Sequence, residues 1–81
     1  MAVKVYIEYC GIWGYAPRFK QLQKKILAVV PEAVVNGAVG RESSFEVTIN
    51  DVEVYSKLKK GSFPNFDKIV EMVKKSHEGK V

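Results

Sequence analysis

The sequence predicts a two-layer α/β domain with a mixed four-stranded sheet and the element order strand-helix-strand-strand-strand-helix. Apolar residues alternate with polar ones near the N-terminus and in the middle of the chain, and recur every three or four positions in two other stretches. The chain has 81 residues, of which 47% are hydrophobic, so it can build one small core. We therefore expect residues 1–81 to form a single domain.

The first half of the chain has the pattern of a strand-helix-strand unit. Residues 3–9 alternate as a strand with one apolar face does. Pro17 suits a first helical turn, where its missing N–H would be unpaired, and the helix should end near Val30, before Pro31. Residues 33–35 form a short second strand, which a right-handed crossover places parallel to the first. The predicted buried positions of the helix are Phe19, Leu22, Ile26 and Val29.

The second half predicts a hairpin and a helix. Gly37 and Gly40 indicate a loop, and alternation resumes from residue 45. A turn at Asn50-Asp51 would make Ile49 face Val52 and Val47 face Val54, with all four pointing into one core face. Residues 57–63 are expected to form a basic, glycine-containing loop.

The last helix is predicted to open at Pro64 and Asn65, and the tail from His77 should fray. Its expected buried stripe is Phe66, Ile69, Val70 and Val73.

The only cysteine, Cys10, lies between the first strand and the first helix, next to Gly11. Unpaired N–H groups and the positive dipole end of a helix favour the thiolate over the thiol, so we expect an accessible, nucleophilic sulfur. The alternative is that Cys10 is a small buried hydrophobic residue with no reactive role. A dithiol motif would carry its second sulfur or selenium at position 13, but the chain has Trp13 there.

The chain resembles the selenoprotein W family of small thioredoxin-like proteins, whose mark is a strand ending in tyrosine, then Cys-x-x-selenocysteine and Gly-Tyr. The resemblance covers nearly the whole chain. It rests on residues 5–15, on Leu22, Lys24 and Lys25, on Phe45-Glu46-Val47, on Ser56-Lys57 with Lys59-Lys60-Gly61, and on a lysine-rich C-terminal helix.

The resemblance implies a thioredoxin-like fold and a redox site made of Cys10 and position 13. Gly11, Ile12, Gly14 and Tyr15 would then form the binding loop. The glycines could let a substrate backbone approach or could serve only the turn. The selenocysteine codon UGA differs by one base from the tryptophan codon, so Trp13 is either a replacement at a selenocysteine site or a native tryptophan.

In function, the resemblance implies a glutathione-linked thiol/selenol redox protein with an antioxidant role and redox-regulated binding to adaptors of the 14-3-3 class. Thiol-disulfide oxidoreductase or glutathione-dependent peroxide-reducing activity is a possible enzymatic form, impaired here if Trp13 replaces selenocysteine. The alternative is a non-enzymatic interaction module that uses the Trp13-bearing loop as a docking surface.

Composition argues against several other classes. The net charge of +4 comes largely from lysine clusters without a base-reading motif, so we expect no nucleic-acid partner. His77 is the only histidine, and a metal site is not expected. One cysteine and no long apolar segment predict an unexported cytoplasmic protein without membrane contact. Glutathione is the expected thiol co-substrate, and no resident cofactor is predicted.

Three further expectations concern polar positions. Glu8, Glu46 and Glu53 fall on polar strand faces, where solvated carboxylates without acid-base chemistry are the default. Residues 41–44 lack the proline that thioredoxins place opposite the redox pair, and Asn36 stands where some relatives carry another cysteine. Arg18 and Lys20 could assist an anion or merely solvate the helix.

Overall fold

The computed structural model describes residues 2–79 and has the expected mixed four-stranded sheet. The strands lie in the order β2-β1-β3-β4, with β1 parallel to β2 and antiparallel to β3, and β3 antiparallel to β4. The predicted element order is confirmed, with one short helix added. The elements are β1 Lys4–Tyr9, α1 Tyr15–Val29, β2 Val34–Val39, β3 Phe45–Ile49, β4 Val52–Ser56, α2 Lys57–Lys60 and α3 Phe66–His77.

The core lies between one face of the sheet and the helices α1 and α3. Alternate residues of β1, Val5 and Ile7, are buried, whereas Tyr6 between them is exposed on the opposite face. The end of α1 was predicted correctly, but Val29 is exposed and Val30 is buried in its place. Val29 is the last helical residue, and the chain leaves helical geometry at Val30 (φ −126°), whose side chain enters the core.

The second strand is longer than predicted, and Gly37 lies inside it. β2 pairs with β1 along its whole length, with Gly37 opposite Ile7. A Cβ atom at Gly37 would lie 2.6 Å from Cε1 of Phe19 and 2.9 Å from the carbonyl oxygen of Ile7. Glycine is therefore needed here for close packing of α1 on the sheet, and the interpretation of Gly37 as a loop residue was wrong.

The hairpin turn is as predicted, but its register is not. Asn50 and Asp51 both have positive φ, at 49° and 69°, as a type I′ turn requires. Ile49 pairs with Val52 as expected, whereas Val47 pairs with Tyr55 because the register shifts between Val47 and Thr48.

The shift leaves Val54 as the extra residue of a bulge on the edge strand β4. Val52 is exposed and Val54 is half-buried, so the prediction that four hairpin valines and isoleucines share one core face was wrong.

The expected basic loop from Lys57 begins instead with α2. The hydroxyl of Ser56 accepts a hydrogen bond from the Lys59 amide at 3.2 Å, and Gly61 ends the helix with φ 85°. α3 starts as predicted, since Asn65 Oδ1 accepts from the Lys68 amide at 3.2 Å.

Three positions of the predicted α3 stripe, Ile69, Val70 and Val73, are buried, and Phe66 is half-buried. His77 is the last helical residue, not part of a frayed tail, and residues 80 and 81 lie outside the described residues. Among residues 2–79, no helix combines the length and apolar character that crossing a bilayer requires.

Candidate functional site

Cys10 lies directly after β1, where the sequence places it, but its side chain is only 1% exposed. Its backbone N–H donates to the carbonyl oxygen of Ser44 at 3.0 Å, and its side chain belongs to the buried core cluster that also holds Tyr15 and Phe45. The expectation of an accessible thiol is therefore wrong for this conformation. The helix-terminus argument considers only neighbours in sequence, whereas the burial arises from packing between distant segments. A reagent can reach the sulfur only after the neighbouring chain moves.

The loop at residues 11–14 follows Cys10 directly and is exposed along its whole length. Ile12 is 52% exposed and Trp13 is 64% exposed. Trp13 (φ 61°) and Gly14 (φ 76°) both adopt left-handed backbone conformations, which a tryptophan rarely does. Within residues 2–79, the amides of Gly11, Ile12 and Trp13 donate no hydrogen bond, and Gly14 gives α1 no side-chain cap. The loop is thus weakly anchored.

The two loop glycines have different roles. A Cβ atom at Gly11 would lie 2.8 Å from Cγ1 of Val39, so Gly11 permits the loop to lie against the end of β2. At Gly14 there is open space, but the positive φ favours glycine. Both observations fit the interpretation that the glycines serve the turn. Val39 is itself 64% exposed, and Ile12, Trp13 and Val39 are called the loop patch below.

The tyrosines beside the loop are packed and not presented to solvent. Tyr15, the first residue of α1, is buried with its ring centroid 4.9 Å from that of Phe63. Tyr9 is half-buried and stacks on Phe19 at 5.0 Å, as its place on the apolar strand face predicts. The binding-loop residues thus divide, since Gly11, Ile12 and Gly14 are exposed and Tyr15 is not.

Two cations lie on the aromatic rings behind Tyr15. The guanidinium carbon of Arg18 is 4.3 Å from the ring centroid of Phe63. Nζ of Lys57 is 5.3 Å from the ring centroids of both Tyr15 and Phe63 and donates to the carbonyl oxygen of Ser43 at 3.4 Å. The sequence indicated Arg18 but not Lys57, because only the fold brings α1 and α2 to the same ring.

Glu46 is a buried carboxylate, so the expectation that it is solvated was wrong. Its side chain accepts hydrogen bonds from the hydroxyl of Ser56 and from the amides of Phe45 and Lys57 at 3.0 Å and Leu58 at 3.3 Å. Burial would raise the pKa of Glu46, but these hydrogen bonds outweigh it and hold the pKa below its usual value. Glu46 anchors the start of α2 to β3.

Glu8 fastens the segment that follows β2. Its carboxylate accepts hydrogen bonds from the Arg41 amide at 2.7 Å and from the Arg41 guanidinium at 2.9 and 3.0 Å. The side-chain hydrogen bonds from Arg41 are the largest cause that lowers the pKa of Glu8 to about 2. The hydroxyl of Ser44 donates to the Arg41 carbonyl at 2.6 Å, which keeps the partner of the Cys10 amide in place.

Comparison with protein families decides the relationship, because a family model described as the Rdx family matches residues 4–75. The chain belongs to the Rdx family. This match confirms the expected relationship of the chain to the selenoprotein W family. It also confirms the general assignment to thioredoxin-like redox proteins.

Similar proteins extend the Rdx assignment. The chain is 27% identical over 77 residues to bovine (Bos taurus) migration and invasion enhancer 1, covering 95% of this chain and 67% of that protein. It is 32% identical over 69 residues to the zebrafish (Danio rerio) thioredoxin reductase-like selenoprotein T1b, covering 85% of this chain but 35% of the zebrafish protein.

Solved structures show that the Rdx fold is shared at low sequence identity. A selenoprotein W-related protein from Vibrio cholerae superposes with a TM-score of 0.82 at 21% identity, covering 91% of this chain and 95% of that one. A Bordetella parapertussis protein superposes with a TM-score of 0.79 at 18% identity, covering 95% and 99%. The predicted α/β fold class is confirmed.

Residues 2–79 contain no group of three or more histidine, cysteine, aspartate or glutamate side chains that could hold a metal ion. The candidate site consists of the Cys10 sulfur, the exposed loop that follows it, and the two cations behind Tyr15.

Proposed function

We propose that this Rdx protein exchanges thiols with glutathione and with partner proteins in the cytoplasm through Cys10. The observation that carries the proposal is the place of Cys10, buried at the end of β1 and followed directly by a loop whose amides at residues 11–13 are unpaired among the described residues. A buried thiol next to a weakly anchored segment can react through local opening without unfolding of the core.

The proposed reaction is balanced with external thiols. The Cys10 thiolate attacks one sulfur of oxidised glutathione, the disulfide bond breaks, and one glutathione thiolate leaves. A second external thiol then attacks the glutathione sulfur of the mixed disulfide and releases the Cys10 thiolate. Trp13 carries no sulfur or selenium, so it cannot resolve the mixed disulfide within the chain. If Trp13 replaces a selenocysteine, the loss of this internal step impairs the redox activity.

The test follows the mass of the native reduced protein after addition of oxidised glutathione. The expected result is one glutathione adduct on Cys10, which reduced glutathione removes. Reaction that stays rapid below pH 8, compared with a peptide thiol of ordinary acidity near pH 8.5, would favour redox work. An adduct that forms only in denaturant would contradict the proposal.

Replacement of Trp13 tests the role of position 13. In the Trp13→Cys variant we expect an internal disulfide with Cys10, detected as the loss of both free thiols without dimer formation. Trp13→Ser is the matched control, because it removes the indole and adds no sulfur. If Trp13→Cys keeps both thiols free under oxidation, the pairing implied by the family motif does not apply to this chain.

The loop patch favours a second candidate function, that of an interaction module whose partners include adaptors of the 14-3-3 class. Three exposed apolar side chains, Ile12, Trp13 and Val39, lie at one end of the sheet. Titration of a purified 14-3-3 protein separates the two functions. Binding weakened by Trp13→Ser but unchanged by Cys10→Ser would support docking, whereas no binding to either redox form would reject this partner class.

A further inference from the structure

We infer that Arg18 and Lys57 form a binding site for a carboxylate group beside Cys10. The site would select anionic thiols and disulfides over neutral or cationic ones. This inference rests on the proposed thiol exchange, which it deepens by naming the substrate class. Its occupant is the carboxylate of either a small peptide thiol or an acidic protein segment, and the two sources share the same chemistry.

The two cations are held at one place by a shared aromatic surface. Arg18 lies over the Phe63 ring at 4.3 Å, and Lys57 lies 5.3 Å from the same centroid. Tyr15 extends that surface, with its ring 4.9 Å from Phe63 and Lys57 at 5.3 Å from it. Cation–π contacts restrict a side chain without neutralising its charge, so both cations remain able to bind an anion.

Neither Arg18 nor Lys57 forms an ion pair with a carboxylate among residues 2–79. The basic residues that do have acidic partners are Lys25, Arg41, Lys59 and His77. Lys57 Nζ instead donates to a neutral carbonyl, that of Ser43. Glu46 lies close by, but its oxygens accept from a hydroxyl and three backbone amides, not from the ammonium group. Two positive charges without an acidic partner therefore share one ring.

Two hydrogen bonds to neighbouring backbone carbonyls connect the site to the nucleophile. Nζ of Lys57 donates to the Ser43 carbonyl oxygen, and the Cys10 amide donates to the carbonyl oxygen of the next residue, Ser44, at 3.0 Å. Arg18 lies in the first turn of α1, which begins immediately after the loop that follows Cys10. A carboxylate bound to the pair would therefore hold its attached thiol at the same end of the sheet as Cys10, where opening of the loop exposes the sulfur.

Binding is tested first without any reaction, using S-methylglutathione, which cannot form a disulfide. We expect saturable chemical-shift changes at the Arg18 guanidinium and the Phe63 ring in NMR spectra. Arg18→Gln and Lys57→Gln should each weaken binding about threefold and together about tenfold, as exposed ion pairs do. Lys24→Gln, an exposed lysine on the same helix without a resolved contact, is the matched control.

A conservative variant separates charge from packing. Arg18→Lys keeps the positive charge and should retain most of the binding, whereas Arg18→Gln should not. If both weaken binding equally while thermal unfolding stays unchanged, Arg18 does not act through its charge. That result, or an equal loss of binding in Lys24→Gln, would overturn the inference.

Reaction rates then connect the site to Cys10. Dithiobis-nitrobenzoate carries two carboxylates, and dithiodipyridine carries none. The Arg18→Gln and Lys57→Gln double variant should slow the first reagent about tenfold and leave the second unchanged, and added salt should slow only the first. If native Cys10 reacts with neither reagent, the proposed thiol exchange fails. If both react at rates that the double variant leaves unchanged, only the carboxylate site fails.

A third measurement distinguishes the two sources of the carboxylate. A disulfide-linked peptide with glutamates beside its cysteine is compared with the same peptide carrying lysines. Preference for the acidic peptide that depends on Arg18 and Lys57, without binding of S-methylglutathione, identifies a protein segment as occupant. Binding of S-methylglutathione identifies a small peptide thiol. If neither probe depends on the two cations, the site does not exist.

Discussion

The two segments that meet at Cys10 are anchored to very different degrees. The loop at residues 11–14 donates no hydrogen bond from its first three amides among the described residues and exposes Ile12 and Trp13. The segment from Arg41 to Phe45 and the adjoining α2 are fastened by the carboxylates of Glu8 and Glu46. Segments with few hydrogen bonds and little buried apolar surface open at lower free energy than those they adjoin. For the proposed reaction of Cys10, this difference predicts that the loop moves and the polar segment stays.

The largest effect is expected from Glu46→Ala on the anchored side. The substitution removes the acceptor of one hydroxyl and three amides, and each buried donor left unpaired costs about 1–3 kcal/mol. We expect the free energy of unfolding in urea to fall by about 3 kcal/mol or more. Glu53→Ala, which removes an exposed ion pair with Lys59, is the control and should cost at most about 1 kcal/mol. Equal losses in the two variants would mean that the polar segment is not an anchor.

The next effect concerns the glycine at the centre of the parallel strand pair. In Gly37→Ala the new Cβ would meet Phe19 and the Ile7 carbonyl, and overpacking of this kind costs about 1–3 kcal/mol. The control is Gly14→Ala, whose Cβ has open space and whose cost of about 1 kcal/mol comes from the positive φ alone. Adding Phe19→Leu should recover part of the loss in Gly37→Ala but none in Gly14→Ala, again measured by urea unfolding.

These two glycines also illustrate what the sequence could predict. Local periodicity and turn chemistry were sufficient for the order of strands and main helices, for the Asn50-Asp51 turn and for the position of Cys10 in the chain. Gly37 was interpreted as a breaker because its requirement for space comes from Phe19, eighteen positions away, and not from its neighbours. A local signal does not contain that contact.

The burial of Cys10 and Glu46 has the same origin. Glu46 alternates onto the polar face of β3, and only its contacts with Ser56 and α2 remove it from water. The core cluster that encloses Cys10 is assembled from α1, α3 and three strands. Sequence reasoning thus predicted the place of Cys10 after β1 but not its burial, and it missed that Lys57 shares the Phe63 ring with Arg18. All of these features depend on contacts between residues that are far apart in the sequence.

A smaller and pH-dependent effect is expected at Glu8. Its pKa is lowered to about 2, so its ionised form stabilises the fold above the ordinary value of 4.5, and this contribution is lost as the pH falls from there towards 2. We expect Glu8→Gln to cost about 1 kcal/mol at pH 7, since the partner Arg41 is largely exposed. Most of the difference from the unsubstituted protein should be lost by pH 2, where Glu8 is about half protonated in the folded protein. A difference of the same size at both values, measured by urea unfolding, would show that the carboxylate charge is not what fastens Arg41.

The smallest effect is expected for the labelling rate of Cys10, which should not change at all when the fold is destabilised. This measurement is the most direct test of the difference between the two segments. If Cys10 reacts through local opening of the loop, its labelling rate with dithiodipyridine in native buffer is independent of global stability. Gly37→Ala, although less stable by about 2 kcal/mol, should then label at the rate of the unsubstituted protein, and low urea should not accelerate labelling, because local opening exposes little surface. If labelling required global unfolding, the same loss of stability would raise the rate about thirtyfold. The weakly anchored loop would then be no gate, and the buried sulfur would be a core side chain without a route to substrate.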